Sequence, residues 1–282
     1  MAIRIPHCLA AMLAAVCTAA ATPGPVRDPN LPPGDADAKS ALETSPRHGE
    51  WVDVKRASGA AIRAYVVYPE RKDKAPVVIV IHEIFGLSDW VRGVADQLAK
   101  EGFIAVAPDL ISGMAPGGGG SEAIASRDDV VKLIRGLAPE EADARLDAVR
   151  EYALRLPAAK AKSATIGFCW GGGRSFAYAA SRPTLSAGVV YYGSAPEGDA
   201  LAALKVPVLG LYGGDDARIS STVDATAAAI AKAGGRYEHE VFDGAGHGFL
   251  RDQAGRDGAN AAATLKAWPR TLAFLKQHLE GR

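Results

Sequence analysis

Cys169 stands in Gly167-Phe168-Cys169-Trp170-Gly171, straight after an apolar run and just before Gly171-Gly172-Gly173. A thiolate attacks carbonyl carbon well, but a free thiol has a pKa near 8.5, so only about 3% is ionised at neutral pH. The spacing small-x-Cys-x-small is that of a nucleophile elbow with cysteine in place of serine. Such a strand-to-helix turn is so tight that side chains two residues either side of the nucleophile would collide, and glycine removes them. The turn sets the sulfur at the amino end of a helix, whose partial positive charge favours the thiolate. The free N–H groups there can also receive a developing oxyanion.

A nucleophile of this kind needs a base and a third group that orients the base. After such an elbow the chain order is nucleophile, acid, histidine. Two later segments supply the types in that order: Gly213-Gly214-Asp215-Asp216, and Asp243-Gly244-Ala245-Gly246-His247-Gly248-Phe249. His247 lies among glycines that let a loop aim an imidazole. Of the other histidines, only His82 falls at a strand edge, and it precedes a different loop. Either Asp215 or Asp216 has the chemistry of the acid, with the other fixing the turn.

These residues need a frame that brings them together. The β-branched run at 77–82 reads as a strand buried on both faces. Further strands are expected at 52–56, 62–68, 103–107, 164–168, 187–192, 207–212 and 237–242. Helices are expected at 89–101, 121–135, 139–156, 171–181, 220–233 and 259–278. Strands separated by helices indicate an α/β fold, with a mostly parallel central sheet and helices on both faces. In such sheets ligands bind beyond the carboxyl ends of the strands. Cys169, Asp216 and His247 each follow a strand, so all three are expected at one sheet edge. The glycine loop at 113–120 lacks a following Gly-Lys-Ser/Thr and is no phosphate cradle.

The 282 residues carry 32 basic and 32 acidic side chains, and 48% are hydrophobic. Without a Lys/Arg block, nucleic-acid binding has no support. No metal-ligand spacing and no dinucleotide fingerprint is present, so no metal or cofactor is expected. Residues 1–21 have the layout of a secretory signal: Arg4, an apolar stretch, then small residues. Residues 22–48 are rich in Pro, Asp and Ala and read as a disordered leader. The expected product is an exported, periplasmic or secreted monomer, free of the membrane once the signal is removed, with its domain at 49–282. If Cys8 and Cys17 leave with the signal, Cys169 is the one remaining thiol.

Together with His82-Glu83-Ile84-Phe85-Gly86, Ala107-Pro108-Asp109-Leu110 and Gly246-His247-Gly248-Phe249, the elbow resembles the dienelactone hydrolase family of α/β-hydrolases across roughly residues 50–280. The resemblance implies hydrolysis of small lactones or esters through an acyl-enzyme. Cys169 would be the nucleophile, His247 the base and Asp216 the acid. It further implies oxyanion donors at the N–H groups of Ile84 and Trp170, and a carboxylate, Glu83, that pairs with the thiol at rest. Arg251 matches one of two arginines that grip a substrate carboxylate, and Arg127 is the candidate for the other. A broad carboxylesterase or thioesterase is the nearest alternative. A non-catalytic binding protein with a redox-sensitive Cys169 is the alternative from another class.

Overall fold

The β-branched run becomes β3 (Ala75–Ile81), and all seven of its residues are buried. That is what a strand covered on both faces requires. The computed structural model describes residues 27–57 and 59–281. The expected signal at 1–21 lies outside these residues. Around β3 the sheet contains β1 (Gly49–Val54), β2 (Ile62–Val67), β4 (Ile104–Pro108), β5 (Ala159–Phe168), β6 (Ala187–Tyr191), β7 (Val208–Gly213) and β8 (Tyr237–Phe242). Their order is β1-β2-β4-β3-β5-β6-β7-β8. β2 pairs antiparallel with β1 and β4, and all the other pairings are parallel.

The helices among the described residues are α1 (Ala38–Glu43), α2 (Asp89–Lys100), α3 (Arg127–Gly136), α4 (Pro139–Leu154), α5 (Trp170–Ser181), α6 (Asp199–Ala202), α7 (Ala217–Ser220), α8 (Val223–Lys232) and α9 (Ala259–Glu280). Two apolar layers sandwich the sheet. On one face Trp90, Val94 and Leu98 of α2 and Trp268, Phe274 and Leu275 of α9 cover it. On the other, Leu146 and Val149 of α4, Phe176 of α5 and Ile230 of α8 do so. Burying both faces drives the assembly. It leaves the carboxyl ends of the parallel strands open.

Two expectations need correction. A helix over 121–135 starts only at Arg127, because the Ser126 side chain accepts the Asp129 N–H at 3.3 Å and caps it there. Ser121–Ala123 is a separate short 3-10 turn. The larger correction concerns the leader, since residues 27–48 are ordered against the domain. Pro32, Pro33 and Ala38 are buried. The Trp90 indole donates to the Pro33 carbonyl at 3.0 Å, and Arg47 pairs with Asp96. Gly93 makes room for this, because a Cβ there would come within 2.6 Å of the Pro33 ring. The Asp35 amide donates to the Arg251 carbonyl at 2.9 Å, so the segment also touches the loop after β8.

Candidate active site

Cys169 sits between β5 and α5 with φ 53° and ψ −116°, a backbone conformation that a residue with a side chain seldom adopts. The neighbouring glycines make room for it. A Cβ on Gly167 would lie 1.9 Å from the Gly171 carbonyl oxygen, and one on Gly171 would lie 2.3 Å from the His82 carbonyl oxygen. The sulfur thus sits at the amino end of a twelve-residue helix. As the first residue of α5, Trp170 carries one of the N–H groups that the helix cannot satisfy itself.

His247 and Asp216 come from the loops after β8 and β7. His247 Nδ1 lies 2.5 Å from Asp216 Oδ2, and Asp216 is largely buried. Burial opposes the imidazolium, but the hydrogen bond to Asp216 and the negative charge that Cys169 and Asp216 can carry outweigh it and push His247 up to about 9. Asp215 instead pairs with Arg256 at 3.2 Å on the surface. Of the two aspartates, Asp216 is the one that meets His247. Asp215 has the neighbouring structural part, its amide donating to the Ala245 carbonyl at 3.0 Å.

The loop after β3 supplies Glu83, Ile84 and Phe85, all at the cleft. His82, just before it, is buried and stacks on Trp170 with ring centroids 5.5 Å apart. The Leu110 amide donates to its Nε2 at 3.2 Å, so the ring proton belongs on Nδ1, which donates to the Glu83 carbonyl at 2.7 Å. Burial holds its pKa below the usual value, against the pull of Asp109, and the ring stays neutral. The consequence reaches Ile84. In a trans peptide the C=O of Glu83 and the N–H of Ile84 point in opposite directions. A carbonyl fixed on His82 therefore fixes the direction of that N–H. Sequence reasoning had passed over His82 in this role.

Glu83 differs from its expected place. Its carboxylate accepts from Arg251 Nε at 2.7 Å rather than from the thiol. The guanidinium, which carries a full charge, wins this buried acceptor. Burial raises the Glu83 pKa even though Arg251 pulls it down. Arg127 and Arg251 flank one ring, with guanidinium carbons 3.6 Å and 5.5 Å from the Phe85 centroid. Arg251 lines the cleft and Arg127 does not. Tyr192, missed by sequence reading, is fully buried at the left-handed φ of 41°. Its ring packs edge-on against His247 at 5.1 Å, and its hydroxyl completes no hydrogen bond of normal geometry among the described residues. The signal was available: Tyr192 follows a parallel strand, where ligands are expected.

Glu83, Ile84, Phe85, Cys169, Trp170, Tyr192, His247 and Arg251 open into one cleft of about 870 Å³. Three arginines not selected from the sequence also line it: Arg135, Arg174 and Arg218. On their own elements they read as ordinary solvated charges.

An eight-stranded mixed sheet with helices on both faces, and an elbow at the carboxyl end of a central strand, defines an α/β-hydrolase. The model of the dienelactone hydrolase family matches residues 62–279, and the chain belongs to that family. A Salmonella typhimurium protein described as "Putative carboxymethylenebutenolidase" is 34% identical over 238 residues, covering 79% of this chain and 85% of its own. A Saccharolobus solfataricus protein with the same description is 31% identical over 258 residues, covering 78% and 96%. Among solved structures, a Klebsiella pneumoniae chain titled "Putative Dienelactone Hydrolase" has a TM-score of 0.72 at 30% identity, covering 82% of this chain and 99% of its own. The chain is accordingly a hydrolase that acts on ester bonds of small molecules. The alternative of a binding protein without catalysis loses its basis.

Proposed function

We propose that this hydrolase cleaves carboxylic esters and lactones through a covalent acyl-cysteine, with Cys169, His247 and Asp216 as its triad. The observation that carries the reading is the His247–Asp216 pair, 2.5 Å apart, facing the same cleft as Cys169 at the amino end of α5. His247 takes the thiol proton and the sulfur attacks the carbonyl carbon. The carbonyl π pair moves onto oxygen, which the N–H groups of Ile84 and Trp170 receive. Collapse re-forms the carbonyl, and the departing alkoxide takes the proton from His247. Water then attacks the thioester, giving one proton to His247, and the proton returns to the sulfur as the acid leaves.

Arg251 and Glu83 supply recognition in this account. A carboxylate on the substrate competes with Glu83 for Arg251. Glu83, released in a buried setting that already favours its protonated form, can then accept a proton in the cleft. Tyr192 offers an unpartnered phenolic donor beside it. The cleft volume favours a second reading for substrate breadth, since it far exceeds what a small lactone fills. Export and signal cleavage accompany this proposal, on the layout of residues 1–21.

A hydrolysis screen across carboxylate-bearing lactones and neutral esters, with Cys169→Ala as control, tests the function. Expected are turnover that disappears in Cys169→Ala and, in Arg251→Gln, a selective loss on acidic substrates. Undiminished turnover in Cys169→Ala contradicts the triad. A uniform small effect of Arg251→Gln favours the broad esterase.

A further inference from the structure

We propose that the cleft mouth carries a second anion subsite, formed by Arg135 and Arg218. It would select esters bearing a negatively charged group at the end remote from the scissile bond. The inference rests on the ester-hydrolase reading above and deepens it.

The first observation is unused space. A cleft of about 870 Å³ lies high in the range of roughly 300–1,000 Å³ that holds drug-sized ligands. A monocyclic lactone held between Cys169 and Arg251 leaves most of it empty. The surplus follows α5, where Trp170, Gly173, Arg174 and Ala177 line the wall. Their spacing of three and four residues puts them on one helix face, leading outward from the sulfur. The sheet order brings α3 in from the β4 side and α7 from the β7 side, with the β5–α5 unit between them. Arg135 comes from α3 and Arg218 from α7, and both are exposed.

The second observation is charge. Of the four arginines lining the cleft, two are already neutralised. Arg251 holds Glu83, and Arg174 holds Asp143 on α4. Arg135 and Arg218 have neither an ion pair nor a hydrogen bond among the described residues. Elsewhere Arg56, Arg71, Arg145 and Arg182 each bind a carboxylate. The same cleft is lined by the apolar Ala177, Ala195, Pro196 and Ile219. Low-dielectric walls beside unneutralised cations concentrate the field on an incoming anion. The planar guanidinium fork fits a carboxylate or a phosphate. The substrate so described has an acyl group at the sulfur, an apolar spacer along α5, and an anionic terminus at the mouth.

The test compares 4-nitrophenyl half-esters of adipic and suberic acids with the same compounds capped as methyl esters, at low salt. A third arm carries a terminal phosphate and decides between carboxylate and phosphate. The wild-type protein is expected to favour one charged series in kcat/KM by about tenfold, the scale of one charge-assisted contact. Added salt should shrink the preference. In Arg135→Gln/Arg218→Gln, KM for the charged ester is expected to rise at least about fivefold with kcat within about twofold, and the preference should collapse. Free adipate or inorganic phosphate, used as an inhibitor without turnover, should weaken in parallel. Arg155→Gln, a surface variant just after α4 whose side chain pairs with Glu151, should keep the preference. No preference in the wild type, or one that survives the double variant, overturns the subsite. If turnover still depends on Cys169, the hydrolase reading stands. Turnover that persists in Cys169→Ala strikes that reading instead.

Discussion

At the inner end of the cleft, side chains are held by one another. Asp216 holds His247, Arg251 holds Glu83, and His82 spans from the Leu110 amide to the Glu83 carbonyl. At the mouth, Arg135 and Arg218 stand exposed without partners among the described residues. The inner end is over-determined, down to glycines that admit no Cβ. The mouth is determined only by which helices pass it. The contrast suggests a division of labour, in which bond-breaking geometry is set by backbone collisions and substrate choice by side chains free to change.

The strongest way to break this contrast is Gly171→Ala. Its Cβ would meet two backbone carbonyls, those of Ile81 and His82, at 2.4 and 2.3 Å. Neither can move without disturbing β3. A loss of about 3 kcal/mol or more is expected, read by denaturant unfolding, and a loss below about 1 kcal/mol contradicts the claim of rigidity.

Next comes the orientation of Ile84. His82→Leu removes the donor to the Glu83 carbonyl, and kcat is expected to fall by roughly 10²-fold, the lower end for one lost oxyanion donor, with KM within about twofold. His82→Gln keeps a donor and should recover part of the rate. An equal loss in both variants, tracking lost stability, assigns His82 a packing role only.

A third test reads the ion pairs around His247. The folded value of about 9 lies above the ordinary value of about 6.5, so the folded state binds the proton more tightly. The resulting stabilisation is complete below about pH 6.5 and is lost as pH rises through 9. Wild type should exceed His247→Gln in stability by more at pH 6 than at pH 10. The reverse order would remove the pairing.

The smallest effect is expected at the mouth. Gly136 closes α3 beside Arg135, and a Cβ there meets nothing within 4 Å. Gly136→Ala should change stability by no more than about 1 kcal/mol, in the stabilising direction.

The same contrast explains what was legible in the sequence. The inner end could be read because its constraints are local. Gly-x-Cys-x-Gly announces the turn, a β-branched run announces a strand covered on both faces, and chain order places the Asp215-Asp216 pair and His247. His82 and Tyr192 escaped because their roles lie in contacts across strands, although both sit where the strand-edge rule looks. The ordered segment at 27–48 escaped for another reason. Composition registers its prolines and charges but not the groove that Gly93 leaves for Pro33. Nor could the partner of Glu83 be read, since Arg251 reaches it from 168 residues away. Arg135 and Arg218 carry no motif, and only the tertiary fold brings α3 and α7 to one opening.

The central claim is that the sulfur of Cys169 carries the acyl group. Intact-mass spectrometry after brief mixing with an activated 4-nitrophenyl ester, quenched in acid and followed by peptide mapping, measures this directly. The account predicts one added acyl group on the peptide that contains Cys169, formed with the release of 4-nitrophenol and missing in Cys169→Ala. Hydrolysis with no adduct under any quench, or an adduct of equal yield in Cys169→Ala, contradicts it.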